Sequence, residues 1–216
     1  MKVLELYAGT RSIGKAFEAQ GHEVYSVEWD TKHQDIDWYV DISTITVKDI
    51  LERFGNPDVI WMSPDCTTFS VAAIGHHRPS NGKKSEYAEF CDMINIHTLN
   101  LIKELNPTYW FIENPRGMMR KQPWMLDLPR YTVTYCQYGE DRMKPTDIWT
   151  NHPNPRFKPM CKNGDKCHVS APRGSQTGTQ GIKGKINKAI IPKLLCEHIV
   201  HICENPNESN EEVNGN

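Results

Sequence analysis

What most limits the fold of this chain is a rhythm in its first half, where short apolar runs alternate with stretches of helical spacing. Runs at 2–7, 23–28, 58–63 and 108–113 read as strands. Between them lie a helix from about residue 12 to 20, a second at 47–54 closed by Gly55 and Pro57, and a long third that Ser85 caps. The long helix carries Tyr87, Phe90, Ile94, His97 and Leu101 at helical spacing and ends at Asn106-Pro107. Strand, crossover helix, strand is the pattern of a parallel sheet, so the expected class is α/β with a mostly parallel sheet. Late strands are expected at 131–137 and 145–150, and a last helix over 187–202. The segment 151–184 is rich in Pro, Gly and Lys, lacks periodicity and is too long for a plain connector. The predicted organisation is a core at 1–150, a small irregular insert at 151–185, a helix at 186–203 returning to the core, and a disordered Asn- and Glu-rich tail at 204–216.

A chain of 216 residues makes one domain with a small appendage and can bury enough surface to fold without disulfides. Its seven cysteines are odd in number and follow no disulfide spacing, which suits reduced thiols in the cytoplasm. No apolar run approaches the roughly 20 residues of a membrane span. The start, Met1-Lys2-Val3-Leu4-Glu5-Leu6, carries an acid at its fifth position and no cleavage site, so neither membrane nor secretion is expected. Lys and Arg number 25 against 27 Asp and Glu, a formal charge of −2. A nucleic-acid partner would therefore have to be held by a local basic patch.

The first strand runs into Tyr7-Ala8-Gly9-Thr10-Arg11-Ser12-Ile13-Gly14 and then a helix. Gly9 lets the backbone turn sharply and approach a ligand, and a helix start offers free N–H groups. Nineteen residues after Gly9 the second strand ends in Glu28-Trp29-Asp30. A carboxylate there can accept from ribose hydroxyls, and the neighbouring indole can pack on adenine. Arg11 and Ser12 stand where a pyrophosphate-binding loop wants further glycines. That argues against NAD and for a smaller nucleoside such as S-adenosylmethionine.

The third strand delivers Ser63-Pro64-Asp65-Cys66-Thr67-Thr68-Phe69-Ser70, and the next ends in Glu113-Asn114-Pro115. Carboxyl ends of strands line the ligand crevice of an open α/β sheet, so Cys66 and Glu113 stand where chemistry would occur. A thiolate paired with a carboxyl that can donate a proton fits an electron-poor aromatic ring, attacked at one atom and protonated at another.

In order and spacing, Tyr7-Ala8-Gly9, Glu28-Trp29-Asp30, Asp41-Ile42, the stretch from Pro64 through Cys66 to Ser70, and Glu113-Asn114-Pro115 resemble the motifs of the cytosine-C5 methyltransferases. The resemblance covers about residues 1–150 and returns loosely at Asn187-Lys188-Ala189-Ile190-Ile191-Pro192. It implies a Rossmann-like S-adenosylmethionine-dependent methyltransferase fold, helices on both faces of the sheet. Cofactor contacts are implied for Tyr7, Ala8, Gly9, Thr10, Arg11, Ser12, Ile13, Glu28, Trp29, Asp41, Ile42 and Pro64. In that family the Pro-x-Cys cysteine, here Cys66, attacks C6 of cytosine. The glutamate, here Glu113, contacts the ring nitrogen and exocyclic amine. The implied activity is methylation of cytosine C5 in double-stranded DNA, on a base flipped from the helix. The implied actor is a monomer in the cytoplasm of a bacterium or a phage-infected host. Methylation of RNA, or nucleic-acid binding without catalysis, are the alternatives.

The chain departs from the family in three places. Asp65 stands where the family has a second proline; an acid beside the nucleophile would raise the thiol pKa, so Asp65 is expected to point away or be paired. The family's glutamine-arginine-arginine motif corresponds to the stretch from Tyr138 to Thr146, with Arg142 in the glutamine's place, Lys144 keeping one charge and Thr146 replacing the other arginine. Lys144 and Arg142 are expected to contact substrate oxygen or phosphate. The third departure is the short insert. Within it Cys161, Cys167 and His168 can present three ligands to one zinc ion, with His152 or Cys136 as the fourth. The mixed glycines, hydroxyls and amides of 171–181, with Lys183 and Lys185, suit a nucleic-acid backbone and base edges. The loop at 71–84, with His76, His77, Arg78, Lys83 and Lys84, is expected to close over the flipped base.

Overall fold

A computed structural model describes residues 1–80, 82–170 and 189–208. Its strands are β1 (Lys2–Leu6), β2 (Glu23–Glu28), β3 (Trp38–Tyr39), β4 (Val59–Met62), β5 (Tyr109–Pro115), β6 (Arg130–Thr134) and β7 (Pro145–Thr150). They form one sheet in the order β3-β2-β1-β4-β5-β7-β6. The first five run parallel, and β7 lies antiparallel between β5 and β6. The expected mostly parallel α/β sheet is therefore the fold. Because β1 is flanked by β2 on one side and β4 on the other, the chain reverses its winding between β1 and β4. In open α/β sheets the carboxyl ends of the strands at such a switch point are where ligands bind.

Side-chain alternation divides the core between the two faces. Leu4 and Leu6 of β1, Ile60 and Met62 of β4 and Ile112 of β5 pack on one face with the long helix α4 (Glu86–Leu105) and with Ile50 of α2 (Val47–Arg53). Val3, Val59, Trp61 and Phe111 pack on the other with α1 (Ser12–Ala19) and the C-terminal helix. That parity places Glu5 on the face of α1, where its carboxylate accepts from the Gly14 N–H at 2.9 Å. A Cβ at Gly14 would lie 2.2 Å from the other Glu5 oxygen, so only glycine lets α1 approach so closely. Burial pushes the Glu5 carboxyl up to about 7, opposed by the Gly14 hydrogen bond and by Arg11.

Helix ends follow local chemistry. Thr46 and Asp49 form a reciprocal capping box on α2, and Ser85 Oγ accepts from Ala88 N at the start of α4. Asn106, at φ 46° and followed by Pro107, ends α4. A short helix, α3 (Ile74–His77), lies inside the loop expected at 71–84.

Three boundaries differ from expectation. The two-residue β3 pairs with Val27 and Glu28 and is too short to register as an apolar run. The strand expected at 131–137 stops at Thr134, because Tyr135–Tyr138 coils into a 3₁₀ turn that buries Tyr135 and Tyr138 on the α1 face. The last helix, α5 (Lys193–Glu204), begins after Pro192, which could not sit inside it. It packs against α1, and Ile191 N donates to Ser12 Oγ at 3.3 Å. The residues just beyond α5 are held, not loose: the Glu208 carbonyl accepts from Arg156 Nη1 at 2.8 Å. Residues 209–216, and the segment 171–188 expected to follow nucleic acid, lie outside the described residues. No described helix is long and apolar enough to cross a membrane.

Candidate active site

The turn after β1 is shaped by backbone strain and one carboxylate. Tyr7, Gly9 and Arg11 all take positive φ (56°, 50° and 56°), so the chain doubles back sharply before α1. Glu28, at the end of the neighbouring β2, gathers the turn: its oxygens accept from Gly9 N at 2.9 Å, Trp29 N at 2.9 Å and Asp30 N at 3.1 Å. A carboxylate has about four acceptor sites, so roughly one remains for a ribose hydroxyl. The Trp29 ring beside it is 66% exposed, an open face on which a base can pack.

The other candidate cofactor residues fall into two groups. Tyr7, Thr10 and Ser12 lie at the turn, Tyr7 with its hydroxyl on Thr98 Oγ1 and Thr10 paired with Ser12. Ala8 and Pro64 are buried at strand ends beside them. Asp41 caps the short turn Ile42–Thr44 by accepting from Ser43 N at 2.9 Å. Ile13 and Ile42 are packed into the two cores, so only their backbones can face the crevice. The Arg11 side chain turns inward to Glu18 and Glu5, away from the open turn. Its side chain therefore serves as a structural cation under α1, and only its backbone can face the open turn.

At the ends of β4 and β5 the chemistry is carried by buried polar side chains. Cys66 follows Pro64, whose carbonyl accepts from Asn114 Nδ2 at 3.0 Å, so the loop after β4 is pinned to the end of β5. Glu113, one residue before Asn114, is buried and points to the opposite face, where Tyr135 Oη donates to it at 3.2 Å. Burial raises its carboxyl above the ordinary value; Lys144 and the hydroxyls of Tyr135 and Ser63 pull it back. Cys66 is exposed at the crevice, yet protein packed around it pushes its thiol up to about 11, helped by Asp65 and Glu113 and opposed by Lys144.

Lys144 links the two. It sits at φ 30° beside β7, over the Tyr135 ring at 4.6 Å, and burial lowers its ammonium while Glu113 and Cys66 hold it up. Arg142 is also buried but is bound to Glu140 at 2.6 Å within the same hairpin. Asp65 is paired as expected, accepting from Thr67 N at 2.6 Å, but it still raises the thiol.

The basic loop does not behave as a free lid. Arg78 is buried, stacked 4.3 Å over the Phe69 ring, donating to the Thr68 carbonyl at 2.9 Å and paired with Asp92 at 2.7 Å. Lys84 reaches the same carboxylate at 2.7 Å, and His77 meets Ser85 Oγ at 2.9 Å. Arg78 and Lys84, expected over a base, instead brace the loop that carries Cys66. Gly117 completes that brace: a Cβ there would lie 2.4 Å from the Phe69 carbonyl, which accepts from Met118 N at 2.8 Å. Neither Arg78 nor Gly117 was marked for such a role by the sequence, since a charge in a polar loop ordinarily reads as solvated.

Among the candidate metal ligands, Cys161, Cys167 and His168 converge with Cys136. His152 does not join them. It is buried against Tyr109, its Nε2 meeting the Ile202 carbonyl at 2.9 Å and its Nδ1 accepting from Asn154 N, so both ring nitrogens are committed elsewhere.

The family profile described as C-5 cytosine-specific DNA methylase matches residues 1–124, more than half of the chain. The chain belongs to that family. Many solved structures share the fold, among them the following three. One is an E. coli DNA modification methyltransferase encoded within a prophage, 16% identical with a TM-score of 0.54, covering 69% of this chain and 46% of its own. The others are Dnmt2 methyltransferase from S. pombe, 18% identical at TM-score 0.51 (69% and 48% covered), and a DNMT2 mutant from Spodoptera frugiperda, 19% identical at 0.53 (79% and 57% covered). The chain thus spans about half the length of these methyltransferases. No curated protein sequence matches it.

Proposed function

We propose that this methylase transfers a methyl group from S-adenosylmethionine to C5 of cytosine in double-stranded DNA, as a monomer, through a covalent bond between Cys66 and C6. The observation that carries this reading is the pinning of Cys66 and Glu113 at the carboxyl ends of adjacent strands through Asn114 and Pro64, with Lys144 electrostatically coupled to both. The matching family profile is that of C-5 cytosine-specific DNA methylases, which favours DNA as the substrate.

The turn after β1 fits the cofactor by its donors. Glu28 keeps room for a ribose hydroxyl, and Trp29 offers an open ring for adenine. When bound, the cofactor supplies the electrophilic methyl group at this end of the crevice. The chain's own residues prepare the base. Cytosine C5 is a poor nucleophile until a thiolate adds beside it at C6; forming the S–C6 bond breaks the C5=C6 double bond and leaves C5 as the nucleophilic carbon of a C4=C5 enamine. Glu113, raised by burial, holds a proton for N3 as that charge develops, and Lys144 offsets charge at the thiolate. After transfer, loss of the C5 proton expels the thiolate of Cys66 and restores the aromatic ring.

The test is trapping. With a duplex containing 5-fluorocytosine the C5 substituent cannot leave as a proton, so the chain should form an adduct stable to denaturation, and Cys66→Ser should form none. Methyl transfer by Cys66→Ser should fall by at least about 10³-fold, because a serine hydroxyl is far less ionised and less nucleophilic. Transfer to RNA in place of DNA would redirect the substrate. Cofactor binding without any adduct would favour a non-catalytic binder.

A further inference from the structure

Four potential metal-binding side chains, three from the insert and one from the turn after β6, meet at one point. Cys136 comes from the turn after β6; Cys161, Cys167 and His168 come from the irregular segment that follows β7. Their ligand atoms all lie within 4.8 Å of one another. The Cys136 sulfur is 3.1 Å from that of Cys161 and 3.7 Å from that of Cys167. His168 turns Nδ1 toward them, 3.7 Å from the Cys161 sulfur and 3.5 Å from the Cys167 sulfur.

A tetrahedral zinc ion sets a clear expectation for such distances. Ligand atoms are separated by about 1.6 bond lengths, hence about 3.8 Å between two thiolates and about 3.5 Å between thiolate and imidazole. Three of the four separations agree within a few tenths of an ångström. The fourth, at 3.1 Å, is shorter but far beyond the roughly 2.05 Å of a disulfide. A disulfide would also explain only two of the four groups.

We propose that Cys136, Cys161, Cys167 and His168 bind one structural zinc ion and that the metal fastens the insert to the hairpin bearing Lys144. Three thiolates and an imidazole select zinc over hard cations such as magnesium or calcium. The need for a staple is visible, because residues 151–170 form no helix or strand and bring few apolar side chains inward. The same segment reaches the hairpin beside the site, Val169 N donating to the Asp141 carbonyl at 2.8 Å and Lys158 N to Tyr138 Oη at 2.9 Å. Cys136 opens that hairpin and Lys144 closes it, so the metal stabilises the backbone from which Lys144 reaches the crevice.

Full-length protein, purified without chelators or immobilised metal, should carry about one zinc per chain by elemental analysis. Cobalt in its place should give the visible absorption of a tetrahedral thiolate site. Cys161→Ala should lose the metal, to below about a tenth per chain, while calorimetry with S-adenosylmethionine still shows binding by the separate core. His168→Cys keeps four soft ligands and should retain zinc with an altered cobalt spectrum, which guards against misfolding of the first variant. Zinc removal should make 151–170 the first segment cut by protease. Zinc-free protein with a Cys136–Cys161 disulfide, zinc-free protein with all four side chains unchanged by added zinc, or full zinc in Cys161→Ala would each overturn the proposal.

Discussion

At the carboxyl ends of β1 and β2 a single side chain, Glu28, gathers three backbone N–H groups. At the ends of β4 and β5, by contrast, an exposed thiol, a buried carboxyl and a buried ammonium influence one another, each shifted from its ordinary value toward the uncharged form. The candidate cofactor half is set by backbone geometry, the turn being held by Glu28. The substrate half is electrostatically unready: at neutral pH a thiol near 11 is overwhelmingly protonated. The difference implies that cofactor affinity depends on the shape of one turn. Reactivity at Cys66 depends on what substrate does to the balance among Cys66, Glu113 and Lys144.

The largest break in that comparison should come from Glu113→Gln. The amide keeps the shape and can still meet Tyr135, but it removes both the ionisable proton and the negative charge that supports the Lys144 ammonium. Single-turnover methyl transfer should fall by roughly 10²–10⁴-fold, while cofactor affinity stays near that of the parent. An unchanged single-turnover rate would move the acid role to another residue.

Glu28→Ala tests the other half. Loss of one ribose contact and of the three hydrogen bonds that hold the turn should weaken S-adenosylmethionine binding by about 10- to 100-fold. The reactivity of Cys66 toward an alkylating reagent should not change, because Glu28 is not among the charges that shift that thiol. A variant that altered both readouts would show the two halves to be coupled through the sheet. Unchanged calorimetry would remove Glu28 from the ribose site.

How much of this was legible in the sequence follows the same division. The mostly parallel sheet, the turn at Gly9 and the strand-end positions of Cys66 and Glu113 could be read because parallel strands announce themselves as apolar runs, and their ends line the ligand crevice of such sheets. What could not be read depends on pairings distant in the chain. Arg78 lies in a run of cations and glycines that ordinarily faces water, and only the arrival of Asp92 and Phe69 turns it inward. His152 and Cys136 were equal candidates to complete the metal cluster, one in the insert and one at the end of an expected strand. The strand ends early at Thr134, which frees Cys136 to turn toward the insert, whereas His152 is sealed against Tyr109 and α5. Glu5 carried no signal beyond being an acid in an apolar strand; its partner, Gly14, becomes its neighbour only when α1 folds back over β1.

The smallest expected effect belongs to that buried acid and separates fold from site. Glu5 has a folded pKa raised from 4.5 to about 7 by burial. Between those values the folded chain holds a proton that the unfolded chain has released. The stabilisation is therefore fully present below about pH 4.5 and is lost as pH rises toward 7. Glu5→Gln keeps an oxygen to accept from Gly14 N but cannot ionise, so it should not show that loss. Denaturant titrations from pH 5 to 8 should find the parent falling relative to the variant by on the order of 2 kcal/mol across the window. Cofactor affinity measured at pH 6 should be the same in both, since Glu5 lies under α1 and not at the open side of the turn. Parallel stability curves would mean that Arg11 keeps the carboxylate charged at every pH in the range, and the cation under α1 would then be a working ion pair instead of a partner too distant to hold it.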